Sequence, residues 1–98
     1  MGFHFKIYRE EGEVLVAACD EDICGLTFEE DKLVLDVRRD FYGSELADWK
    51  RLRSFLAEAT ILNLVGEELI SRAVEAGFID AENVMRVKGV PHAKMVRI

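Results

Sequence analysis

The sequence predicts an α+β domain, a two-layer sandwich in which a mixed sheet of about five strands carries two helices on one face. Three observations predict it. Apolar residues alternate with polar ones near the N-terminus and again before residue 38, they recur every three or four residues between 46 and 59, and a Lys88-Gly89 turn signal separates two short apolar segments near the C-terminus. The expected order is βββααββ in a single domain, residues 1–98.

The N-terminal half is expected to supply the first three strands. Residues 3–7 alternate apolar and polar side chains, which is typical of a half-buried strand. Residues 14–19 are apolar on both faces and predict a central strand covered on both sides. Residues 32–37 alternate again and predict the third strand. Between them, Asp20 is expected to cap one helical turn over 21–24.

The middle of the chain changes to helical periodicity. Asp48 or Ser44 is the expected N-cap of the first helix, and a second helix is expected from about Gly66 to Gly77. Asn63 is expected to cap that second helix, with Gly66 allowing a sharp turn between the helices. The stripe that faces the core in the first helix comprises Leu46, Trp49, Leu52, Phe55, Leu56 and Ala59.

The last fifteen residues predict two closing strands, at 84–87 and 94–98. Gly89 contributes to the turn after the first of them. Residues 90–93 are expected to connect the strands, and Pro91, which has a fixed φ, should hold His92 at a reproducible angle in that connection.

Composition and charge exclude several classes of protein. Half of the 98 residues are hydrophobic, a third are charged and one is Pro, which excludes collagen-like and disordered chains. No apolar run approaches the roughly 20 residues of a membrane span, and the first residues do not form a signal peptide. We therefore expect a cytoplasmic protein with two reduced cysteines, Cys19 and Cys24. Their spacing fits no common zinc site, the carboxylates at 20–22 fit no calcium loop, and we expect neither metal nor cofactor.

The charges are unevenly distributed, and this asymmetry suggests a function. The net charge of −6 argues against a general nucleic-acid coat, but residues 84–98 contain four bases and no acid, whereas residues 10–31 contain nine acids and no base. We expect a non-enzymatic module that binds RNA or a ribonucleoprotein. The expected ligand-binding residues are Arg86, Lys88, His92, Lys94 and Arg97, extended by Arg38, Arg39 and Tyr42.

Two alternatives remain open at this stage. His92 could act as an acid or base on a small anionic substrate clamped by Arg97 or Lys94, although the sequence identifies no catalytic residue and we lean away from an enzyme. The protein could instead be a structural subunit of a homodimer or another complex.

Several segments resemble an archaeal family of single-domain proteins catalogued as domain of unknown function 424. They are residues 14–20, 41–43, 59–66 and 76–77 and, above all, Gly89-Val-Pro-His-Ala-Lys-Met-Val-Arg97. Relative to the family pattern, Lys94 replaces a more usual Gln, Leu62 a usual Ala and Cys24 a usual Leu. The resemblance implies an archaeal, cytoplasmic α/β sandwich without established catalytic residues, and members are sometimes described as candidate RNA-binding proteins.

Overall fold

The computed structural model describes residues 2–97. In chain order they form β1 (Phe3–Glu10), β2 (Glu13–Asp20), β3 (Thr27–Glu30), β4 (Leu33–Asp36), α1 (Arg39–Tyr42), β5 (Glu45–Ala47), α2 (Trp49–Glu58), β6 (Ile61–Val65), α3 (Glu67–Glu75), β7 (Met85–Val87) and β8 (Val90–Val96). Single 3-10 turns follow β2 and precede β7.

Six strands form one mixed sheet in the order β5-β1-β2-β6-β8-β7, and β3 pairs with β4 in a separate hairpin. β2 and β6 are parallel, and the other neighbouring strands are antiparallel. The predicted α+β class with a mixed sheet is confirmed. The number and order of the strands differ from the prediction, since the sheet has six strands and the chain alternates strands and helices after residue 38.

The first face of the sheet, which we define by Phe3, Phe5, Val16, Leu62 and Leu64, is covered by α2 and α3. The helices contribute buried residues from the predicted stripes to the same apolar cluster, among them Leu52, Leu56, Leu69 and Ile70. Burial of these side chains is the main stabilising contribution to the domain, at roughly 1.5–3 kcal/mol for each large residue.

The second face is the opposite side of the sheet and is only partly covered. The β3–β4 hairpin and α1 pack on it through a second apolar cluster that includes Leu35, Val37 and Tyr42 above Ala17 and Val65. A strand does form within the predicted segment 32–37, at Leu33–Asp36, but it belongs to this hairpin and not to the main sheet. The second face is therefore covered in part by this hairpin and by α1, and not by the two long helices.

Two predictions about the second half of the chain are wrong. The segment from Ile61 to Val65 is a strand between the two long helices, not a connection, because each of its residues pairs with β2 on one side and β8 on the other. β8 begins at Val90, so Pro91 and His92 lie within a strand. Ile98, the predicted end of the last strand, lies outside the described residues.

Two carboxylates act as helix caps. Asp48 accepts a hydrogen bond from Arg51 N at 2.9 Å and is the N-cap of α2, so Ser44 is not. Asp20 makes no capping bond to its own 3-10 turn, contrary to the prediction. Its two oxygens instead accept hydrogen bonds at 2.9 Å from the backbone N–H groups of Glu68 and Leu69, in the first turn of α3. Within residues 2–97, none of the helices has the length and apolar character that a membrane crossing requires.

Candidate ligand-binding face

The second face of the sheet is buried at one end and open at the other. At the buried end, His4, Cys19 and Val65 are cross-strand neighbours and are each at most 8% exposed. Two residues further along each strand lie Lys6, Ala17, Asn63 and Lys94, and two further again lie Tyr8, Leu15, Ile61 and Val96. Tyr8, Leu15 and Ile61 are half-buried and Val96 is 63% exposed. We call Tyr8, Leu15, Ile61, Asn63, Lys94 and Val96 the open half of the second face.

Tyr42 reaches the edge of this open half from α1. The chain can turn back immediately after it because Gly43 has a φ of 94°, and a side chain there would collide with the carbonyl of Phe5. Tyr42, expected among the ligand-binding residues, is only 5% exposed, because the turn at Gly43 places its ring against the sheet. Burial, together with Cys19 and Asp36 nearby, raises the pKa of Tyr42 to about 12, so its hydroxyl is a hydrogen-bond donor at neutral pH.

The hydroxyl of Tyr42 donates to Asn63 Oδ1 at 3.0 Å. Asn63 lies in β6, so it does not cap α3, whose N-cap is Gly66. Its Nδ2 group donates to no described residue, and in the described chain the one buried side-chain polar atom without a partner is His4 Nδ1. Asn63 Nδ2 is therefore not fully buried. The hydrogen bond from Tyr42 orients the amide with its oxygen towards Tyr42 and its NH₂ group away from it.

Lys94 is the cross-strand neighbour of Asn63. Gly66 N donates to Pro91 O at 2.9 Å, and Arg97 N donates to Thr60 O at 2.8 Å. These two bonds determine which opposite residues of β6 and β8 form hydrogen-bonded pairs and which form non-hydrogen-bonded pairs. In that alternation Asn63 and Lys94 form a non-hydrogen-bonded pair, the kind in which opposite side chains lie closest. Lys94 is exposed and forms no ion pair with any residue from 2 to 97. The register therefore places Lys94 next to Asn63 on the second face.

An aromatic and basic border lies beside Tyr42 on the β1 side of the second face. The rings of Tyr8 and Phe41 are stacked with centroids 5.5 Å apart, and Tyr8 donates to the carbonyl of Phe41 at 2.7 Å. Lys6 Nζ lies 5.2 Å from the centre of the Tyr8 ring. Tyr8, Phe41 and Tyr42 line one cleft of about 550 Å³, whose charged lining comprises Lys6, Arg38, Asp36 and Asp40.

The predicted basic residues of α1 contribute unequally to this border. Arg38 forms an exposed ion pair with Asp40 at 2.9 Å, which raises the pKa of the arginine and lowers that of the carboxylate. Exposed pairs of this kind are weak, so Arg38 can exchange Asp40 for another anion. Arg39 is exposed and lines a different cleft, beside Phe5.

The four bases of the last fifteen residues do not share one surface. Arg86 lies on the helix-covered side, where it contacts Glu67 at 3.4 Å, and Lys88 lies in the β7–β8 turn, where its backbone N–H donates to Glu30. Arg97 donates to the carbonyls of Ala57 and Ala59 at the end of α2. The alternation of a strand places neighbouring side chains on opposite faces, and Lys94 alone of the four lies on the open half.

His92 lies in β8 between Met85 and Val65, not in a loop. It is half-buried, and burial followed by the charge of Lys94 lowers its pKa. No described residue forms a hydrogen bond with its ring.

Pro91 lies in the same strand and has no N–H to donate to the carbonyl of Gly66 opposite it. That carbonyl already accepts from Ile70 N, so Pro91 is tolerated there. Gly89, with a φ of 78°, forms the predicted turn.

The cysteines and the acidic cleft are weaker candidates for a functional site. Cys19 and Cys24 are free thiols, and burial raises the pKa of Cys19 well above its usual range, which makes it a poor nucleophile. A cleft of about 750 Å³ near the start of α3 is lined by acids, among them Asp20, Glu21 and Glu67. Across residues 2–97 no group of three His, Cys, Asp or Glu side chains has an arrangement that could hold a metal ion.

The fold and this face define a class: an α+β domain with a mixed sheet, two helices on one side and a half-covered opposite side. The chain belongs to a family described as "Protein of unknown function (DUF424)", whose model matches residues 8–98. The crystal structure of an uncharacterised conserved protein from the archaeon Methanopyrus kandleri has the same fold, with a TM-score of 0.78 and 24% identity over 100% of this chain and 95% of the other. The comparison with curated proteins gave no match.

Proposed function

We propose that this protein is a non-enzymatic module that binds single-stranded RNA on the open half of the second face. The observation that carries the proposal is the arrangement of Tyr42, Asn63 and Lys94. A buried hydroxyl orients an amide whose NH₂ group has no partner among residues 2–97, and the cross-strand neighbour of this amide is an exposed lysine without an ion pair to those residues. Proteins that bind single strands combine such donors and cations with aromatic side chains against which bases stack.

The local charge supports an anionic ligand although the chain as a whole is acidic. Lys94 belongs to the open half, and Lys6 and Arg38 line the cleft beside Tyr42, whereas the acid-lined cleft lies at the end of the sheet where β2 meets α3. Asp36 and Asp40 remain near the cations and would limit the affinity. Three phosphate contacts give a slope of log affinity against log salt concentration of about −2 for a single strand.

The aromatic border supports contact with bases. Tyr8 is half-buried, and its partner Phe41 and the bond to the Phe41 carbonyl hold its ring in place. An aromatic ring that is already fixed loses little conformational entropy on binding, and stacking of one base contributes roughly 1–3 kcal/mol. Val96 and Ile61 extend this surface with apolar contacts.

Fluorescence anisotropy with a short single-stranded RNA, measured at two salt concentrations, tests the proposal. Lys94→Gln and Lys6→Gln should each weaken binding by several-fold and make the salt slope shallower by about 0.7. Arg86→Gln is the matched control, because it removes the same charge from the helix-covered side. No binding at low salt, or equal loss in all three variants, would contradict the proposal.

The two alternatives are weaker on these observations. An enzyme would need a group that orients His92, and among residues 2–97 none forms a hydrogen bond with it. A structural subunit would use the apolar residues of the same open half, Ile61 and Val96, to self-associate. Light scattering on the RNA-free protein distinguishes this case, since concentration-dependent dimerisation abolished by Val96→Ser would favour the subunit. A cytoplasmic location is part of our proposal and is supported by the two free thiols.

A further inference from the structure

We infer that Asn63 and Lys94 read a nucleobase, and that the base they select is a purine with a keto group at position 6, which is guanine in natural RNA. This inference rests on the proposed function, because it names the base that the RNA site recognises. It starts from the hydrogen-bonding character of the two side chains and not from their charge.

The pair presents hydrogen-bond donors to solvent. A lysine ammonium has three donors and no acceptor. An asparagine amide ordinarily offers both kinds of group, and it then pairs with adenine by donating to N7 and accepting from N6. Here Tyr42 donates to Asn63 Oδ1, so the oxygen faces the protein and the NH₂ group faces outward. The usual asparagine–adenine pairing is therefore blocked.

Guanine matches two adjacent donors. Its O6 and N7 atoms are neighbouring acceptors on one edge, and lysine and arginine commonly bind both. Adenine has an amino donor at position 6, so its N6 would face the donors of Asn63 or Lys94 without an acceptor. The non-hydrogen-bonded register brings these two side chains close enough to share one base edge.

Tyr42 acts in this scheme as a positioning residue. Its hydroxyl contacts Asn63 and not the base, and its ring is buried. Tyr42→Phe keeps the ring and removes the one hydrogen bond that orients the amide. The amide can then turn its oxygen outward and accept from adenine N6, so the ratio of affinities should change more than the affinity itself.

Three RNA heptamers of uridine with a central guanosine, inosine or adenosine test the inference by anisotropy. Inosine and adenosine differ at position 6 of the base, where one has a keto and the other an amino group. We expect the guanosine and inosine strands to bind alike and on the order of 10-fold more tightly than the adenosine strand. Tyr42→Phe should reduce this ratio towards one while binding of the adenosine strand is retained.

Asn63→Asp gives a second readout that does not depend on the fold of the Tyr42 variant. A carboxylate in the same position offers acceptors where the amide offered donors, so the preference for inosine over adenosine should disappear. Equal affinity of the wild-type protein for inosine and adenosine strands, with salt-dependent binding of both, would overturn the base assignment and leave the proposed function standing. Failure of every strand to bind would overturn the proposed function as well.

Discussion

The carboxylate of Asp20 occupies the space that a side chain on Gly66 would need. Gly66 has a φ of 122°, and a Cβ placed on it would collide with the Asp20 carboxyl group. Asp20 is the last residue of β2 and Gly66 immediately follows β6, so the parallel pairing of these two strands brings Asp20 to the start of α3. A residue 48 positions earlier in the chain thus caps this helix through Glu68 N and Leu69 N.

Asp20→Ala should lower the free energy of unfolding by about 1–2 kcal/mol, the usual contribution of a helix N-cap, because two backbone N–H groups lose their acceptor. Urea denaturation followed by circular dichroism measures this. Asp22→Ala is the control, since Asp22 is exposed and caps no helix. Similar stability of the two variants would contradict the cap assigned to Asp20.

The carboxylate of Asp20 should also make the free energy of unfolding depend on pH. Burial raises the pKa of Asp20, and the bonds from Glu68 and Leu69 oppose that effect only in part. The folded state therefore binds this proton more tightly than the unfolded state, so the contribution to stability is complete below the unfolded pKa and is lost as pH rises through the folded one. The stability of the wild type relative to Asp20→Asn should therefore fall as the pH rises above the ordinary pKa of an aspartate, about 4. If urea denaturation shows that the stability of the wild type relative to Asp20→Asn increases as the pH rises, the direction of the pKa shift assigned to Asp20 is wrong.

Arg97 should contribute to stability and not to ligand binding. Its guanidinium donates at 2.8 Å and 3.2 Å to the carbonyls of Ala57 and Ala59, where α2 ends. Arg97→Ala should lower the free energy of unfolding by about 1 kcal/mol, the size of a cation effect at a helix C-terminus. Lys94→Ala removes the same charge three residues earlier, on the opposite face of the sheet, and should leave stability nearly unchanged when both variants are compared by thermal denaturation. A larger loss in the Lys94 variant would refute this division between the faces.

A histidine titration can verify that Lys94 and His92 share the second face. Burial first, and Lys94 second, lower the pKa of His92, so Lys94→Gln should move the pKa upward and Arg86→Gln should leave it nearly in place. A histidine with a lowered folded pKa contributes stability above its unfolded pKa, and that contribution is lost as the pH falls. Proton NMR of the imidazole resonances measures the titration. A downward shift in the Lys94 variant would contradict the arrangement.

Local sequence patterns predicted the helices and strands better than they predicted which strands pair with each other. The predicted stripe from Trp49 to Ala59 and the Asp48 cap match α2 closely, because helical periodicity and capping depend on residues a few positions apart. Leu46, which the prediction also assigned to this stripe, lies in β5 and is 45% exposed, so that part of the prediction is wrong. The segment from Ile61 to Val65 is too short for its pattern to distinguish a strand from a helix-to-helix connection. Its identity as a strand depends on pairing with β2 and β8, which are distant in sequence.

The candidate site was predictable only in part for the same reason. Lys94 was identified from the acid-free C-terminal segment, but a count of charges does not assign faces, and a strand alternates them. If the strand at 90–96 is known, its alternation continued by one residue already places Lys94 and Arg97 on opposite faces of the sheet. Asn63 was interpreted as a cap, and the bond that gives it a role comes from Tyr42, which reaches it through the turn at Gly43.

The central claim is that RNA contacts the open half of the second face, and amide chemical-shift mapping tests it most directly. A ¹⁵N-labelled sample titrated with a guanosine-containing uridine heptamer should show its largest shifts at Tyr8, Asn63 and Lys94. The amides of Arg86 and of α3, on the opposite side, should change little. Shifts concentrated on α3 and Arg86, or no shifts at low salt, would contradict the account.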